Sequence, residues 1–98
     1  MIQSFRDVGT TDVYHGRDTR AARRTCPQAL WPVARRKLDQ REAARTLTDL
    51  RAPPANRLEA LKGDRQGQHS IRINDQYRIC FVWTGLDATA VEIVDYTE

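Results

Sequence analysis

Two runs of alternating side chains, joined by a short polar turn, constrain the fold of this chain more than any other feature. The runs are Gln68–Ile73 and Tyr77–Trp83, and Asn74-Asp75-Gln76 separates them. A period of two is that of a β-strand, and Asn and Asp favour tight turns. One side of the pattern carries His69, Ile71, Ile73, Tyr77, Ile79, Phe81 and Trp83. The other side carries Gln68, Ser70, Arg72, Arg78, Cys80 and Val82. The sequence therefore predicts an antiparallel hairpin with one buried face.

Further strand patterns flank this hairpin. Arg57–Leu61 precedes it across the glycine-containing loop 62–67, and Thr89–Tyr96 follows it. These runs predict a four-stranded antiparallel meander in the C-terminal half. Met1–Arg6 also alternates and predicts an N-terminal edge or pairing strand.

The region between Met1–Arg6 and the meander predicts two helices. The first is capped by Thr25 or Cys26, and Pro32 either kinks it or marks the start of its regular part. The second spans Glu42–Leu50 and ends before two prolines. Residues 7–24 are polar and predict a loop with one helical turn near Thr11–Tyr14.

Helices followed by strands indicate an α+β fold. We predict one domain over residues 1–98, in which an N-terminal strand joins a small antiparallel sheet. Two helices would pack on one face of that sheet. The opposite face would be left for a ligand.

Basic residues are concentrated in the first half of the chain. Residues 1–51 hold eleven Lys and Arg against six Asp and Glu, whereas residues 52–98 hold five against seven. Only Lys37 and Lys62 of the sixteen cations are lysines. Arginine suits planar contacts with phosphates or carboxylates. The charge alone fits either nucleic-acid contact or a solvated basic face.

The cysteines and histidines argue against a disulfide framework and a metal site. Cys26 and Cys80 lie far apart in different kinds of segment, and His15 and His69 stand alone. The chain has neither an apolar signal segment at its N-terminus nor an apolar run of membrane-spanning length. We therefore expect a cytoplasmic protein with reduced thiols, no membrane partner, no metal and no cofactor.

Much of the chain from Ala34 onward resembles the HigB branch of the RelE/ParE toxin superfamily of bacterial toxin–antitoxin systems. The matching residues are 56–65, 67–81 and 91–96, with further matches at 34–38 and 50–54. The resemblance implies a RelE/microbial-RNase-like fold. It also implies a type II toxin that acts as a ribosome-dependent endoribonuclease, or mRNA interferase, and cuts translated messenger RNA in the ribosomal A site. Its implied partner is a HigA-type helix-turn-helix antitoxin, which would bind operator DNA.

The same resemblance implies that Lys62, Arg78, Asp95 and Tyr96 form the catalytic site. A metal-free ribonuclease must activate the RNA 2′-hydroxyl, stabilise charge on the phosphorane and protonate the departing 5′-oxygen. Lys62 would bind the scissile phosphate or help transfer protons, and Arg78 would stabilise the phosphorane. Asp95 would orient or deprotonate the hydroxyl, and Tyr96 would stack on a base or donate a proton.

Other positively charged or polar side chains in the meander would position RNA. We expect Arg57, Arg65, Gln68 and Arg72 to bind phosphates. One departure from the family concerns the residue after Tyr96. Family members commonly end Asp-Tyr-His, whereas this chain has Thr97, which cannot exchange protons near neutral pH as an imidazole does.

Other interpretations stay open at this point. Taken alone, Lys62 fits a surface loop, and Arg78 fits an ion pair with Asp95 or Glu92 on the neighbouring strand. The whole chain could also be a non-enzymatic ParE-like toxin that inhibits DNA gyrase, or an RNA-binding module without catalysis. A gyrase inhibitor has no use for aligned Lys62, Arg78 and Asp95, which favours the ribonuclease.

Overall fold

The computed structural model describes residues 2–51, 56–85 and 87–95, and these form an α+β fold. The three α-helices of the described residues are α1 (Val8–Tyr14), α2 (Arg20–Thr25) and α3 (Trp31–Ala43). The strands are β1 (Glu59–Ala60), β2 (Gln68–Arg72), β3 (Tyr77–Trp83) and β4 (Ala88–Asp95). They form an antiparallel sheet in the order β1-β2-β3-β4, which confirms the predicted meander.

The predicted loop over residues 7–24 is wrong for most of its length, because this region holds α1 and most of α2; only the helical turn expected near Thr11–Tyr14 is confirmed, as part of α1. Each helix begins at a side-chain cap. Asp7 accepts a hydrogen bond from the Thr10 amide at 2.7 Å, and Thr19 accepts one from the Ala22 amide at 3.1 Å. Helices this short are not stable alone and depend on tertiary packing.

A glycine allows α1 and α2 to pack closely. A Cβ atom on Gly9 would lie 1.8 Å from the Thr25 hydroxyl oxygen, so no other residue fits without movement of α2. This contact is long-range, and the local pattern of polar residues gives no sign of it.

The predicted boundaries of the later helices also need correction. The main helix α3 begins at Trp31 with Pro32 in its first turn, which matches the alternative that Pro32 marks the regular start. The segment before it contains only a short 3₁₀ helix, Gln28–Leu30. The predicted helix Glu42–Leu50 is instead the end of α3 followed by a second 3₁₀ helix, Leu47–Arg51.

The N-terminal segment lies beside β4. Isolated parallel bridges join Ile2 to Ala88 and Phe5 to Val91. The main chain of Ser4 also accepts a hydrogen bond from the Val91 amide at 3.1 Å. The segment therefore pairs with the sheet at two points, without forming a regular strand.

The core lies between the helices and one face of the sheet. The hydrophobic cluster joins Val13, Ala22, Ala34 and Leu38 from the helices to Ile71, Ile79, Phe81, Val91 and Ile93 from the sheet. His69 stacks on Phe81 on this face, which confirms its predicted place on the apolar side of the alternation. Within the described ranges, no helix is long and apolar enough to cross a membrane.

Candidate active site

The face of the sheet opposite the helices carries a row of polar residues, which we call the open face. Glu59 on β1 pairs with Ser70 on β2, Ser70 with Cys80 on β3, and Cys80 with Glu92 on β4. Directly paired residues in an antiparallel sheet project to the same side. The open face therefore brings residues from all four strands together.

Arg78 lies on the open face beside this row, and neutral acceptors hold its side chain. Its Nε donates to the Ser70 hydroxyl at 2.8 Å, and its Nη2 donates to the main-chain carbonyl of Arg57 at 2.8 Å. The Arg78 side chain is only 13% exposed. A guanidinium with so little water around it and uncharged acceptors is well suited to stabilise an approaching phosphate.

Arg78 has a carboxylate neighbour on β1. Oε2 of Glu59 lies 3.7 Å from Nη2 of Arg78, and the Glu59 side chain is 58% exposed. The predicted alternative was an ion pair with Asp95 or Glu92 on β4. Of these two, Glu92 pairs with other arginines. The open face thus carries an accessible carboxylate next to Arg78, and it is not one of the residues that the sequence predicted for the site.

The chain enters β1 through a strained turn. Arg57 has a φ of 46°, in the left-handed region that non-glycine residues rarely adopt. Asn56 before it is fully buried and donates to the Leu50 carbonyl at 3.1 Å. Lys37 donates to the Asn56 side chain, and burial lowers the pKa of Lys37. The buried Asn56 therefore anchors the turn that directs the Arg57 carbonyl towards Arg78.

Lys62 follows β1 and is exposed at the start of a 3₁₀ turn, Gly63–Arg65. Its carbonyl accepts the Arg65 amide at 3.3 Å, so the turn fixes the main chain while leaving the ammonium in solvent. Gly63 and Gly67 both have positive φ, of 64° and 92°, which this tight loop requires. The structure therefore places Lys62 where a ligand can reach it.

A second arginine cluster lies at the Glu92 end of the row. Arg65 contacts Glu92 at 2.7 Å and Gln68 at 3.1 Å, and Arg6 contacts Glu92 at 3.7 Å. Cys80 is buried between the two arginine groups, and burial raises the pKa of its thiol. Arg65 and Gln68, two of the predicted RNA-binding residues, therefore contact each other. Arg65 is, however, already bound to the Glu92 carboxylate.

The remaining predicted residues divide between the two faces of the sheet. Arg72 pairs in register with Arg78, so the two arginines are neighbours on the open face, and Arg72 also forms an ion pair with exposed Asp75 at the β2–β3 turn. Asp95 pairs in register with Tyr77, whereas Arg78 pairs with Val94, so the register assigns Asp95 and Arg78 to opposite faces.

Asp95 contacts a neighbour outside the open face. Its Oδ2 accepts a hydrogen bond from the Gln76 side chain at 3.1 Å. Burial raises the pKa of Tyr77, and the Asp95 carboxylate raises it further. Tyr96 and Thr97 lie outside the described residues.

Three contributors to the site were missed by sequence reasoning. Ser70 carried a usable signal, because the alternation put it on the same side as Arg78. Glu59 carried little signal, because β1 is only two residues long and both of its residues are exposed. The Arg57 carbonyl had none, because its direction depends on a left-handed main-chain angle.

Comparison with known proteins gives matches over most of the chain. A family model described as the RelE-like toxin of type II toxin–antitoxin system HigB matches residues 3–97. Toxin HigB-1 of Vibrio cholerae is 45% identical over 83 residues, which cover 85% of this chain and 84% of that protein. An uncharacterized protein of Haemophilus influenzae is 39% identical over 79 residues, which cover 81% of this chain and 75% of that protein.

Proposed function

We propose, from the premise that this chain belongs to the RelE-like HigB toxins of type II toxin–antitoxin systems, that it is an endoribonuclease which cuts messenger RNA in the A site of the ribosome. A toxin of this type has an antitoxin partner. The proposal makes that partner a HigA-type helix-turn-helix protein, which also carries the toxin to operator DNA. The toxin would act in the cytoplasm as a single domain over residues 1–98, with a RelE/microbial-RNase-like arrangement of the N-terminal segment and helices.

The observation that supports this proposal most is the pairing of Arg78 with a carboxylate on the open face. A shielded guanidinium held by uncharged acceptors can stabilise the negative charge that develops on phosphorus. An exposed carboxylate 3.7 Å from the guanidinium can accept the proton of the attacking hydroxyl. The two groups together suit attack on a phosphodiester.

The proposed reaction needs only RNA groups and side chains. A carboxylate removes the proton from the 2′-hydroxyl, the 2′-oxygen bonds to phosphorus, and the bond from phosphorus to the 5′-oxygen breaks. A proton donor then protonates the 5′-oxygen. The products are a 2′,3′-cyclic phosphate and a free 5′-hydroxyl.

The proposed roles rest on chemistry and, where the structure describes the residue, on position. Arg78 stabilises the phosphorane, and exposed Lys62 binds the scissile phosphate or supplies the proton. Glu59 is our first choice for the base, because it lies beside Arg78 on the open face. Asp95 is the second choice, because the register assigns it to the other face. Tyr96 remains a proposed proton donor or base-stacking residue.

The residues proposed to bind RNA differ in whether their side chains are already bound to a carboxylate of the protein. Arg57 is exposed, so its side chain can meet a phosphate directly. Arg65 and Arg72 must first exchange Glu92 and Asp75 for phosphate oxygens. Gln68 contacts Arg65 and would act with it.

A comparison of the two carboxylates tests the mechanism on programmed ribosomes. Glu59→Gln should slow cleavage by roughly 10²- to 10⁴-fold, the usual contribution of a general base. Asp95→Asn should cost less than Glu59→Gln. Asp18→Asn serves as the matched control, because Asp18 is an exposed carboxylate paired with Arg23 on the helical side. The opposite order of the first two effects would transfer the role of base to Asp95 without affecting the proposed activity.

Inhibition of DNA gyrase, as by a ParE-like toxin, is the alternative to the proposed ribonuclease function. A protein that inhibits supercoiling and leaves ribosome-bound message intact would not be a ribonuclease. Intact message together with ordinary RNA binding would instead indicate a non-catalytic module.

A further inference from the structure

We propose that Ser70 is a positioning residue which, together with the main-chain carbonyl of Arg57, sets the direction of the Arg78 guanidinium. The consequence for cleavage rests on the proposed ribonuclease function. The positioning of Arg78 by Ser70 and the Arg57 carbonyl does not depend on that function, because these are contacts within the protein.

Ser70 can act only through another residue. It is fully buried at the centre of the polar row, between Glu59 on β1 and Cys80 on β3. Its hydroxyl accepts the Arg78 Nε hydrogen at 2.8 Å. A side chain with no exposed surface does not touch RNA, so its contribution is to hold the arginine.

The Arg57 carbonyl supplies the second point of attachment. It accepts a hydrogen bond from Nη2 of Arg78 at 2.8 Å. Left-handed backbone is unfavourable for arginine, and such strain persists only where the surroundings impose it. Here the buried Asn56, bound to Leu50 and Gln40, imposes it.

Two bonds at different nitrogens fix a planar guanidinium more strongly than one. The bond from Nε to Ser70 holds one edge of the guanidinium plane of Arg78, and the bond from Nη2 to the Arg57 carbonyl holds a second edge. Both acceptors are uncharged, so they orient the cation without neutralising it. These two bonds therefore hold the guanidinium in place for a phosphate without adding negative charge of their own, as transition-state stabilisation by a preorganised group requires.

Ser70→Ala tests this role in single-turnover cleavage of message on programmed ribosomes. Loss of a hydrogen bond to a charged group should lower the cleavage rate by roughly 10- to 100-fold. The toxin concentration that gives half the maximal rate should stay unchanged, because Ser70 does not contact the substrate. Ser70→Thr keeps the hydroxyl and should recover most of the rate.

Thr10→Ala is the matched control for a merely structural effect. Thr10 is also fully buried, and its hydroxyl accepts the Ile93 amide at 3.0 Å on the helical side of the sheet. This variant should lose stability but cleave at close to the wild-type rate per folded molecule. Equal slowing in Thr10→Ala and Ser70→Ala would assign the effect to general destabilisation.

A double variant tests whether Ser70 acts through Arg78. Lysine has no Nε–H fork, so Arg78→Lys removes the contact with Ser70. Adding Ser70→Ala to Arg78→Lys should then cause no further loss of rate. A further loss as large as that in the wild-type background would refute the positioning role.

Solvent exchange of the Arg78 Nε hydrogen, measured by NMR, gives a readout independent of activity. We expect slow exchange in the wild type, fast exchange in Ser70→Ala and slow exchange again in Ser70→Thr. Fast exchange in the wild type would overturn the positioning proposal. If the wild type leaves the message intact, the proposed function fails, and the exchange measurement still decides the role of Ser70.

Discussion

Replacement of Arg41 by methionine should stabilise the protein. Arg41 is a buried residue of α3, on the same stripe as Ala34 and Leu38. It is 0% exposed, and its Nε, Nη1 and Nη2 have no hydrogen-bond partner among the described residues. Its guanidinium lies 5.0 Å from the centre of the Phe81 ring. A charged group thus occupies a position of the core where an apolar side chain would fit.

The pKa of Arg41 allows the cost to be estimated. Burial lowers the pKa of Arg41 from its usual value to about 9, so the side chain is still charged at neutral pH. At about 1.4 kcal/mol per pKa unit, the charged form is disfavoured by roughly 5 kcal/mol. A desolvated cation–π contact with Phe81 offsets about 2 kcal/mol of this cost. Methionine has no charge and adapts to irregular space, so we expect Arg41→Met to raise the free energy of unfolding by about 2–3 kcal/mol.

The effect also has a defined pH dependence. The folded protein releases the Arg41 proton from about pH 9, whereas the unfolded chain keeps it to a higher pH. The unfolded state therefore binds more protons in this range, and the wild type gains stability as the pH rises through it. The difference in the free energy of unfolding between Arg41→Met and the wild type should be constant below about pH 9 and should become smaller above it.

Urea unfolding followed by tryptophan fluorescence measures both effects, with Trp31 and Trp83 as the reporters. Arg36→Met is the matched control, because Arg36 is exposed on the same helix and should change stability by less than about 0.5 kcal/mol. An Arg41→Met protein less stable than the wild type would show that the guanidinium makes a favourable contact in the folded state. The estimate above would then be wrong in sign.

Three further predictions concern the turn before β1, the thiols and the C-terminus. Arg57→Gly should be more stable than Arg57→Ala by about 1 kcal/mol in urea unfolding, because glycine accepts the left-handed angle; equal stabilities would argue against strain there. Burial raises the pKa of Cys26 to about 11 and raises that of Cys80, so neither thiol should react with a disulfide reagent at pH 8 before unfolding. Rapid reaction in the folded state would contradict their burial. Thr97→His should increase cleavage modestly and add a limb near neutral pH to the rate profile, since imidazole can exchange protons there; an unchanged rate in a folded variant would place Thr97 outside the chemistry.

The hairpin could be predicted from the sequence because a period of two is a local property. The alternation from Gln68 to Trp83 contained both the strand boundaries and the buried face. The helices α1 and α2 could not be predicted in the same way. Their seven and six residues are too few to show a helical period, and they depend on the close approach at Gly9.

The candidate site was predictable in part for the same reason. Arg78 and Ser70 alternate with apolar residues, so the sequence placed them on one side of the hairpin. The position of Asp95 also carried a signal, because it alternates with Val91 and Ile93, which belong to the core. The catalytic role of Asp95 was implied by the resemblance and not by the alternation, and it stays a prediction.

Long-range geometry determined what the sequence could not show. A bulge shifts the register between β3 and β4, where Ala90 has a φ of 50°. The partner of Arg78 depends on how β1 lies against β2, which no local pattern specifies. The Arg57 carbonyl reaches Arg78 across 21 positions of the chain.

The chemistry of the cleaved ends tests the central claim most directly. Ribosomes stalled with a defined codon in the A site are mixed with the purified wild-type toxin or with Arg78→Ala, and the ends of the message are then mapped. We predict that the wild type cuts within the A-site codon and leaves a 2′,3′-cyclic phosphate and a 5′-hydroxyl, whereas Arg78→Ala leaves the message intact. Message that stays whole with the folded wild type, or equal cleavage by Arg78→Ala, would contradict an active site built around Arg78 on the open face.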